Sequence, residues 1–283
     1  MGAKKRRQGF NRLADTRYGR LLYNRHDEYV GRSLRLYGEY QENEIALFRE
    51  LIEPGQLVID VGANIGAHTV WMARQVGNTG RVVAFEPQRL IYQTLCANIA
   101  LNSLTNVDAH CIALGANYGE AQLPELNPEA ENNFGGLGIK GHSYGETIGV
   151  IPLDGANIRR PSFMKIDVEG CEHDVLMGAR RTIEEYQPLL YVEYDREAER
   201  KLVGNYILKQ LGYLAFPHFP PLFHPDNFAG NDEDVWPNIA SMNLLCVPPS
   251  RIKDLAPVIE RFCHSGLRLE LDEPADLTPQ TVT

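Results

Sequence analysis

Long apolar runs are absent from this chain of 283 residues. No stretch approaches the roughly 18 apolar residues that a membrane-spanning helix needs, and no apolar segment typical of a secretory signal follows the basic start. Cysteine is also sparse, since the five residues are scattered and none belongs to a C-x-x-C pair. We therefore expect no membrane span, no disulfide framework and no structural zinc site, and a cytoplasmic location.

Positive charge is in deficit as well. The chain has 28 Lys and Arg against 37 Asp and Glu, a net charge of −9. This balance argues against a protein whose main task is to wrap nucleic acid. The first 35 residues reverse it, with ten Lys or Arg against three Asp or Glu. We interpret the KKRR run at positions 4–7 as a solvated terminus, and an anionic membrane surface or a nucleic acid is the functional alternative.

From residue 57 onward, short apolar runs alternate with longer amphipathic segments. The runs LVIDV (57–61) and RVVAFE (81–86) predict strands, whereas RLIYQTLCANIALN (89–102) has apolar residues at helical spacing. Such alternation predicts an α/β fold with a doubly wound, parallel sheet. Further helices are predicted at 67–76, 171–186 and 196–212, and further strands at 107–115, 163–168, 189–194, 213–216 and 241–247.

The sequence divides into three predicted parts. Residues 1–50 form a basic N-terminal extension with a helical cap, residues 51–250 form the sheet domain, and residues 251–283 form a C-terminal helix and tail. Two stretches, 116–150 and 217–240, interrupt the alternation and are predicted to be irregular. Loops of this length in a compact domain are usually lids or disordered, and the aromatic residues of the second favour an ordered cover.

The stretch VIDVGANIG (58–66) predicts a ligand-binding turn at the carboxyl end of the first sheet strand. A phosphate-binding loop would need a Lys after its last glycine, and none follows Gly66. A dinucleotide loop would need a third glycine, but Asn64 stands between Gly62 and Gly66. A nicotinamide dinucleotide is therefore the weaker alternative. S-adenosyl-L-methionine, which has a zwitterionic end and no phosphate, fits this loop better.

A second acid supports this interpretation. Glu86 ends the next strand in AFEP, twenty residues beyond Gly66, where a carboxylate can accept both ribose hydroxyls. Asp60 is expected to serve the ammonium group of the cofactor, and Thr69 adds a hydroxyl donor in the first turn of the following helix. The predicted cofactor-binding residues are Asp60, Gly62, Ala63, Asn64, Gly66, Thr69, Glu86, Pro87, Ala113 and Asp167.

The motif FMKIDVEGCEHDVLMGA (163–179) completes a pattern with VIDVGANIG and AFEP, in that order. In this pattern the chain resembles the FkbM-type methyltransferases over about residues 18–249. The resemblance implies a class I methyltransferase sheet of seven strands, Rossmann-like, with the last strand antiparallel and with S-adenosylmethionine as methyl donor. It also implies O-methylation of a saccharide or another natural product, an expectation that rests on association alone.

Methyl transfer to an alcohol needs a base or a metal ion near the donor, because a protonated hydroxyl is a poor nucleophile. Asp167, Glu169 and Glu193 lie at the carboxyl ends of two predicted strands and are the predicted catalytic residues, with Asp195 and His173 further along. Paired acids raise each other's pKa, which would suit one of them as a base. Asp167 and Glu193 could instead bind a divalent metal ion, an alternative that we do not favour.

The acceptor is less well defined than the donor. Asn132, Asn133, Gly135 and Gly136 are predicted to lie near it, and we expect a small molecule or a glycan. A peptide, a lipid or a nucleic acid is the alternative, although the D-V-E-G that follows the fourth sheet strand disfavours base methylation. An inactive protein that only binds S-adenosylmethionine is the other class of function, and a homodimer is among the assemblies that the sequence allows.

Overall fold

The N-terminal segment carries a hairpin that the sequence pattern missed. A computed structural model describes residues 9–264, and it begins with antiparallel strands β1 (Asn11–Thr16) and β2 (Gly19–Asn24). Their alternating side chains are only half buried, so the apolar signal is weak. Two helices follow, α1 (Val30–Tyr37) and α2 (Glu42–Leu51), in agreement with the predicted helical cap.

Strands and helices then alternate as the sequence predicts. The later strands are β3 (Leu57–Val61), β4 (Arg81–Phe85), β5 (Val107–His110), β6 (Ala113–Leu114), β7 (Gly119–Leu123), β8 (Glu146–Ile151), β9 (Phe163–Ile166), β10 (Leu189–Glu193), β11 (Leu214–His218) and β12 (Asn243–Val247). The later helices are α3 (Ala67–Val76), α4 (Arg89–Leu101), α5 (Glu172–Gly178), α6 (Arg180–Tyr186), α7 (Glu197–Asn205) and α8 (Ile252–Phe262).

Seven strands form the central sheet, in the order β11–β12–β10–β9–β3–β4–β5. The pairs from β10 to β5 are parallel, whereas β12 is antiparallel to both of its neighbours. This topology confirms the predicted α/β class with a seven-stranded sheet and an antiparallel last strand. Apolar clusters cover both faces of the sheet, one around Ile166 and Val192 and the other around Phe48 and Phe163, which explains the continuous apolar runs of the central strands.

The stretch from 107 to 151 departs from the prediction. The single strand expected at 107–115 is two, because the chain turns away at Cys111 and β6 joins a separate sheet in the order β6–β8–β7. The stretch 116–150 is therefore not wholly irregular. Its β7 and β8 pair antiparallel, but only two of their eleven residues, Leu123 and Ile148, are buried, which hides the alternation expected of strands.

Two predicted helices are also interrupted. The helix expected at 171–186 divides at Ala179 into α5 and α6, where Gly178 packs so closely that a Cβ atom would collide with the carbonyl of Gly115. The helix expected at 196–212 consists of α7 and a π-helical turn, Tyr206–Gln210, that follows it. Among residues 9–264, no helix is both long and apolar enough to cross a membrane.

The N-terminal helices are not separated from the sheet. Phe48 on α2 packs against Trp71, Phe163 and Tyr191 in the core below the sheet. The predicted C-terminal helix corresponds to α8, whereas the KKRR run and the tail after residue 264 lie outside the described residues. The domain boundaries at residues 50 and 250 stay a prediction.

Candidate functional site

A cavity of about 340 Å³ lies at the edge of the sheet where the parallel strands end. Gly62 follows β3, Glu86 follows β4, Asp167 follows β9 and Glu193 ends β10, so the carboxyl ends of four adjacent strands contribute to its wall. Residues of α1, α2 and the stretch 217–240 close the other side. Ligands of open parallel sheets bind at this edge.

The glycine loop has the backbone geometry of a tight turn. The N–H groups of Gly62 and Ala63 both donate to the carbonyl of Phe85, each at 3.0 Å. Gly62 has a φ angle of 79°, and a Cβ atom there would collide with the carbonyl of Asp167. Asn64, the residue that breaks the dinucleotide pattern, also adopts a left-handed φ of 51°. The loop therefore depends on glycine where two strand ends approach each other.

Glu86 is held in place by this loop. Its Oε2 atom accepts the N–H of Asn64 and its Oε1 atom accepts the N–H of Gln88, both at 2.9 Å. Glu86 is only 6% exposed, and burial raises its pKa to about 7 although the two backbone donors oppose the shift. Its carboxylate lines the cavity together with Pro87, Gln88 and Ala113.

Three predicted cofactor residues lie behind this wall. Asp60, Gly66 and Thr69 are not among the described residues that line the cavity. Asp60 is fully buried, and its Oδ2 atom accepts the hydroxyl of Thr69 at 2.6 Å. It lies beside Lys165 on the neighbouring strand. Burial raises the pKa of Asp60, and the Lys165 ammonium offsets part of that rise. Asp60 and Thr69 thus support the loop from below, and the hydroxyl of Thr69 is committed to Asp60.

The three predicted catalytic carboxylates do meet. Oxygen atoms of Asp167, Glu169 and Glu193 lie within 4.8 Å of one another, and all three residues line the cavity. Such a set of oxygen atoms is the kind that could hold a hard divalent cation. The N–H of Glu169 donates to Glu193 Oε2 at 3.3 Å, and Glu169 itself has a left-handed φ of 57°. The sharp turn after β9 therefore brings Asp167 and Glu169 to Glu193 at the end of the neighbouring strand β10.

The electrostatics of these acids differ from the sequence prediction. The enclosed position of Asp167 would raise its pKa, but Lys165 Nζ lies 2.7 Å from its Oδ2 atom and the pKa is lowered overall. Burial raises the pKa of Glu193 well above its ordinary value, and the charges of Asp167 and Asp195 add to the rise. The mutual rise expected of a carboxylate pair therefore affects Glu193 and not Asp167, because only Asp167 has a buried lysine as partner.

A second cation, Arg196, lies among the acids of the cavity. Glu169 pairs with Arg196, which also lines the cavity, and Asp195 lies at the same end. Lys165 Nζ donates to Asp167 Oδ2 at 2.7 Å and thus pairs with Asp167. His173 stacks edge-on against Tyr206 and is outside the described lining of the cavity, in line with a structural role.

The loop predicted beside the acceptor lies against the glycine loop. Phe134 is buried, and its carbonyl accepts the side-chain amide of Gln88 at 3.1 Å. Gly135 lies so close to Asn64 that a Cβ atom would collide with the Asn64 amide. Asn133 and Gly135 line the cavity, while the two other predicted members, Asn132 and Gly136, do not appear in its described lining.

A second polar wall of the cavity was not foreseen. It is built from α2, the first turn of α3, the start of β12 and the residues just before α2 and β12, and it consists of Tyr40, Gln41, Glu44, His68, Ser241 and Asn243. Asn243 Nδ2 donates to Glu44 Oε1 at 2.9 Å, and Gln41 Nε2 donates to the hydroxyl of Ser241 at 2.5 Å. The only sequence signal is an acid-rich helix start, QENE, which is equally typical of a solvated helix N-terminus.

The stretch 217–240 covers this wall, as its aromatic residues predict. Leu222 and Ile239 line the cavity. Trp236 stacks on Tyr29 of the N-terminal segment with ring centroids 5.1 Å apart, and Arg32 lies over the Trp236 ring at 4.9 Å. The cover is therefore anchored by aromatic contacts to residues that precede the sheet.

Comparisons with known proteins point to one family. Residues 60–215 match the family model described as the methyltransferase FkbM domain. "Methyltransferase 1" of Beauveria bassiana is 26% identical, with the match covering 43% of this chain and 57% of the relative. "Methyltransferase sdnD" of Sordaria araneosa is 28% identical, with shares of 43% and 59%. The matches thus span less than two thirds of the length of these relatives.

A solved FkbM methyltransferase from Methylobacillus flagellatus is 22% identical to this chain, with a TM-score of 0.47 and coverage of 70% of this chain and 49% of that one. The family match is more decisive, because it covers more than half of the 283 residues and includes the glycine loop, Glu86 and all three carboxylates. The chain therefore belongs to the FkbM methyltransferase family.

Proposed function

We propose that this chain transfers a methyl group from S-adenosyl-L-methionine to a hydroxyl group of a neutral small molecule, with saccharides and glycosylated natural products as the favoured class. The observation that carries the proposal is the continuity of one cavity, which joins the glycine loop and Glu86 at one end to Asp167, Glu169 and Glu193 at the other. A methyltransferase needs both ends in one enclosed space, because the methyl donor and the acceptor oxygen must be aligned.

The residues at the first end suit the proposed cofactor. Glu86 offers a carboxylate for paired ribose hydroxyls. The backbone of Gly62, Ala63 and Asn64 forms a turn, and a side chain at Gly62 would have no room there. Gln88 Oε1 is buried and has no hydrogen-bond partner within residues 9–264, so a ligand donor would complete its bonding. When bound, S-adenosylmethionine supplies a methyl group already activated by its sulfonium.

The charges at the second end favour an acceptor without a negative charge. Lys165 and Arg196 are the cations of the described cavity lining, apart from histidine, and each is paired with a carboxylate. Arg196 also lies 3.5 Å from Asp195, so it is shared between two carboxylates, and Glu193 has no such ion pair among the described residues. An anionic acceptor would meet uncompensated acids, whereas hydroxyl groups can donate hydrogen bonds to them.

We assign the three carboxylates to the binding of acceptor hydroxyls. The sequence also predicts a general base among them, with Asp167 as the first choice. Its contact with Lys165 makes Asp167 a weaker base than an isolated carboxylate, because a lowered pKa means a lower affinity for a proton. The base assignment of the sequence therefore has its own test, in which Asp167→Asn and Glu169→Gln are expected to retain cofactor binding and to lose methyl transfer. Turnover that survives both substitutions would contradict a base among these acids.

The experiment combines calorimetry with a transfer screen. S-adenosylmethionine and S-adenosylhomocysteine are titrated into the purified chain, and the donor with a labelled methyl group is then incubated with neutral glycosides, phenols, sugar phosphates, peptides, lipids and RNA. We expect both cofactors to bind and label to enter a neutral hydroxyl compound. Failure of both cofactors to bind would sink the proposal. Binding with label in a peptide, lipid or RNA would replace the acceptor class, and binding without any transfer would favour a protein that only binds the cofactor.

A further inference from the structure

Gln41, in the second polar wall of the cavity, has a hydrogen-bond acceptor that the protein does not use. The residue immediately precedes α2, is 6% exposed and lines the cavity. Its Nε2 atom donates to Ser241 Oγ at 2.5 Å, whereas its Oε1 atom is buried and has no hydrogen-bond partner within residues 9–264. An unpaired buried acceptor is unfavourable, so a ligand group that donates to Oε1 would relieve the cost.

Two hydroxyl groups hold the Gln41 amide in one orientation. Its NH₂ group has two hydrogens to donate. One bonds to Ser241, and the other bonds to the hydroxyl of Tyr40. The Ser241 hydroxyl in turn bonds to Glu44, so its own hydrogen is committed. A rotated amide would turn its oxygen toward Ser241, where no donor is left, and the oxygen is therefore the atom that stays available to a ligand.

Tyr40, which also lines the cavity, supplies the complementary donor. Burial raises the pKa of the Tyr40 hydroxyl well above its ordinary value, the charges of Asp167 and Glu44 add to the rise, and the bond from Gln41 opposes it. The hydroxyl therefore keeps its hydrogen at neutral pH, and a hydroxyl oxygen that accepts one hydrogen bond can still donate another. An amide oxygen that accepts and a hydroxyl that donates together match an alcohol group, which does both.

The two residues lie near the carboxylates that we assign to the acceptor, and not at the cofactor end of the cavity. Asn243, two residues after Ser241, is the strand partner of Glu193. The charge of Asp167 acts on the Tyr40 hydroxyl. A molecule that presents one hydroxyl group to the three acids can therefore present another to this pair.

We propose that Gln41 and Tyr40 bind a second hydroxyl group of the acceptor, next to the hydroxyl that is methylated. This inference rests on the proposed function and narrows its substrate class to diols and polyols, glycosides among them. A compound with a single hydroxyl group would leave Gln41 Oε1 unpaired, so it should be a poor substrate. The two residues determine specificity and contact the substrate away from the reacting atoms.

Pairs of acceptors that differ by one hydroxyl group test this subsite. The pairs are trans-1,2-cyclohexanediol with cyclohexanol, catechol with phenol, and each glycoside methylated in the transfer screen with its monodeoxy analogues. Within the pairs that are methylated, we expect the wild type to favour the compound with the additional hydroxyl by roughly 5- to 150-fold in kcat/KM. Gln41→Met and Tyr40→Phe should each lower kcat/KM for that compound much more than for its partner, so the preference shrinks. A purely structural role would lower both values equally. A wild type without preference, or a preference that both variants retain, would overturn the inference.

Gln75 offers a matched control for Gln41. It is half buried, its Nε2 atom donates to the carbonyl of Ile52 at 2.7 Å, and it lies outside the described cavity lining. Gln75→Met should leave the preference and the Kd for S-adenosylhomocysteine unchanged. Gln41→Met should keep that Kd within about twofold while it loses the preference, because the subsite belongs to the acceptor.

A binding measurement separates failure of the subsite from failure of the proposed function. The full chain with ¹⁵N-labelled glutamine is titrated with the same pairs in the presence of S-adenosylhomocysteine. The Gln41 side-chain amide resonances are assigned by their loss in Gln41→Met. We expect them to shift with the diols and glycosides and not with cyclohexanol or phenol, and an equal shift within the pairs would overturn the inference. A selective shift without methyl transfer to any compound would retain the subsite and sink the proposed function, whereas transfer without a shift would do the reverse.

Discussion

Lys165 Nζ lies 2.7 Å from the Oδ2 atom of Asp167, with the lysine side chain only 4% exposed and the aspartate 38% exposed. The same ammonium acts on the buried carboxyls of Asp60 and Glu44. The positive charge of Lys165 on β9 thus offsets the negative charges of three acids, Asp60, Asp167 and Glu44. The charge state of the whole site depends on it.

Lys165→Met should therefore destabilise the fold. We expect a loss of about 3 kcal/mol in the free energy of unfolding, near the lower end for a broken buried pair because Asp167 is partly exposed. Urea unfolding measures the change. The double variant Lys165→Met, Asp167→Asn should recover part of the loss, and an additive loss in the double variant would contradict the pairing.

Glu86→Ala should weaken cofactor binding, and it also removes the acceptor of the Asn64 and Gln88 N–H groups, so unfolding is measured beside binding. Loss of a charged hydrogen-bond acceptor is worth about 1.5 to 3 kcal/mol, which corresponds to roughly 10- to 150-fold in Kd. Calorimetry with S-adenosylhomocysteine measures it. Glu120→Ala, at an exposed position of β7, is the control and should bind as the wild type does. Equal affinities for the two variants would remove Glu86 from the site.

Alanine substitutions at two glycines distinguish the free-energy cost of a side chain at positive φ from the cost of a steric collision. Gly62 and Gly77 have φ angles of 79° and 65°, but a Cβ atom at Gly77 meets no atom within 4 Å, whereas one at Gly62 strikes the carbonyl of Asp167. Gly77→Ala should cost about 1 to 3 kcal/mol of stability, because its φ of 65° with a ψ of −172° lies in a region essentially restricted to glycine, and Gly62→Ala should cost more and abolish cofactor binding. Thermal unfolding and calorimetry compare the two, and similar behaviour would show that the close approach is unimportant.

Stability should fall as the pH rises from about 6.5 to 8. The folded pKa values of Glu44 and Glu86, about 8 and about 7, lie above the ordinary value of 4.5, so the folded state binds more protons than the unfolded state in this range. Their stabilising contribution is present below pH 4.5 and is lost as the pH passes the folded pKa values. The low pKa of His68, about 3, acts in the opposite direction, but only below about pH 6.5.

At about 1.4 kcal/mol per pH unit for each proton, the decline amounts to about 2 kcal/mol from Glu44 alone. Chemical unfolding at several pH values measures it. Glu44→Gln should flatten the curve, while Glu50→Gln at an exposed position should leave the slope intact. A wild-type stability that is constant over this range would contradict the burial of both acids.

Methyl transfer should be insensitive to chelators. Lys165 and Arg196 already lie against Asp167 and Glu169, so two of the three carboxylates that could hold a cation have a positive partner. The transfer rate is measured before and after treatment with EDTA, and again after addition of Mg²⁺ or Mn²⁺. Loss of activity on chelation and its return with either metal would instead support a metal centre of the three acids.

The sequence by itself determined the succession of strands and helices along the chain, the sheet class and the positions of the two loops that follow β3 and β4. These features depend on local patterns, such as the apolar run before Asp60 and the glycines that follow. Local patterns can be recognised in the amino-acid sequence alone. The resemblance carried by KIDVEG then indicated the family that the match to residues 60–215 shows. The hairpin at 11–24 and the strands β7 and β8 escaped because few of their residues are buried.

Only the tertiary structure decided the chemistry around the cavity. It put Asp60 behind the wall, gave Lys165 to Asp167, and brought Glu44 to within 3.5 Å of His68, residues 24 positions apart in separate helices. The pKa of a carboxyl depends on burial and on neighbouring charges, which are properties of three-dimensional packing. The sequence therefore showed where acids end the strands, and the fold determined which of them retain their charge.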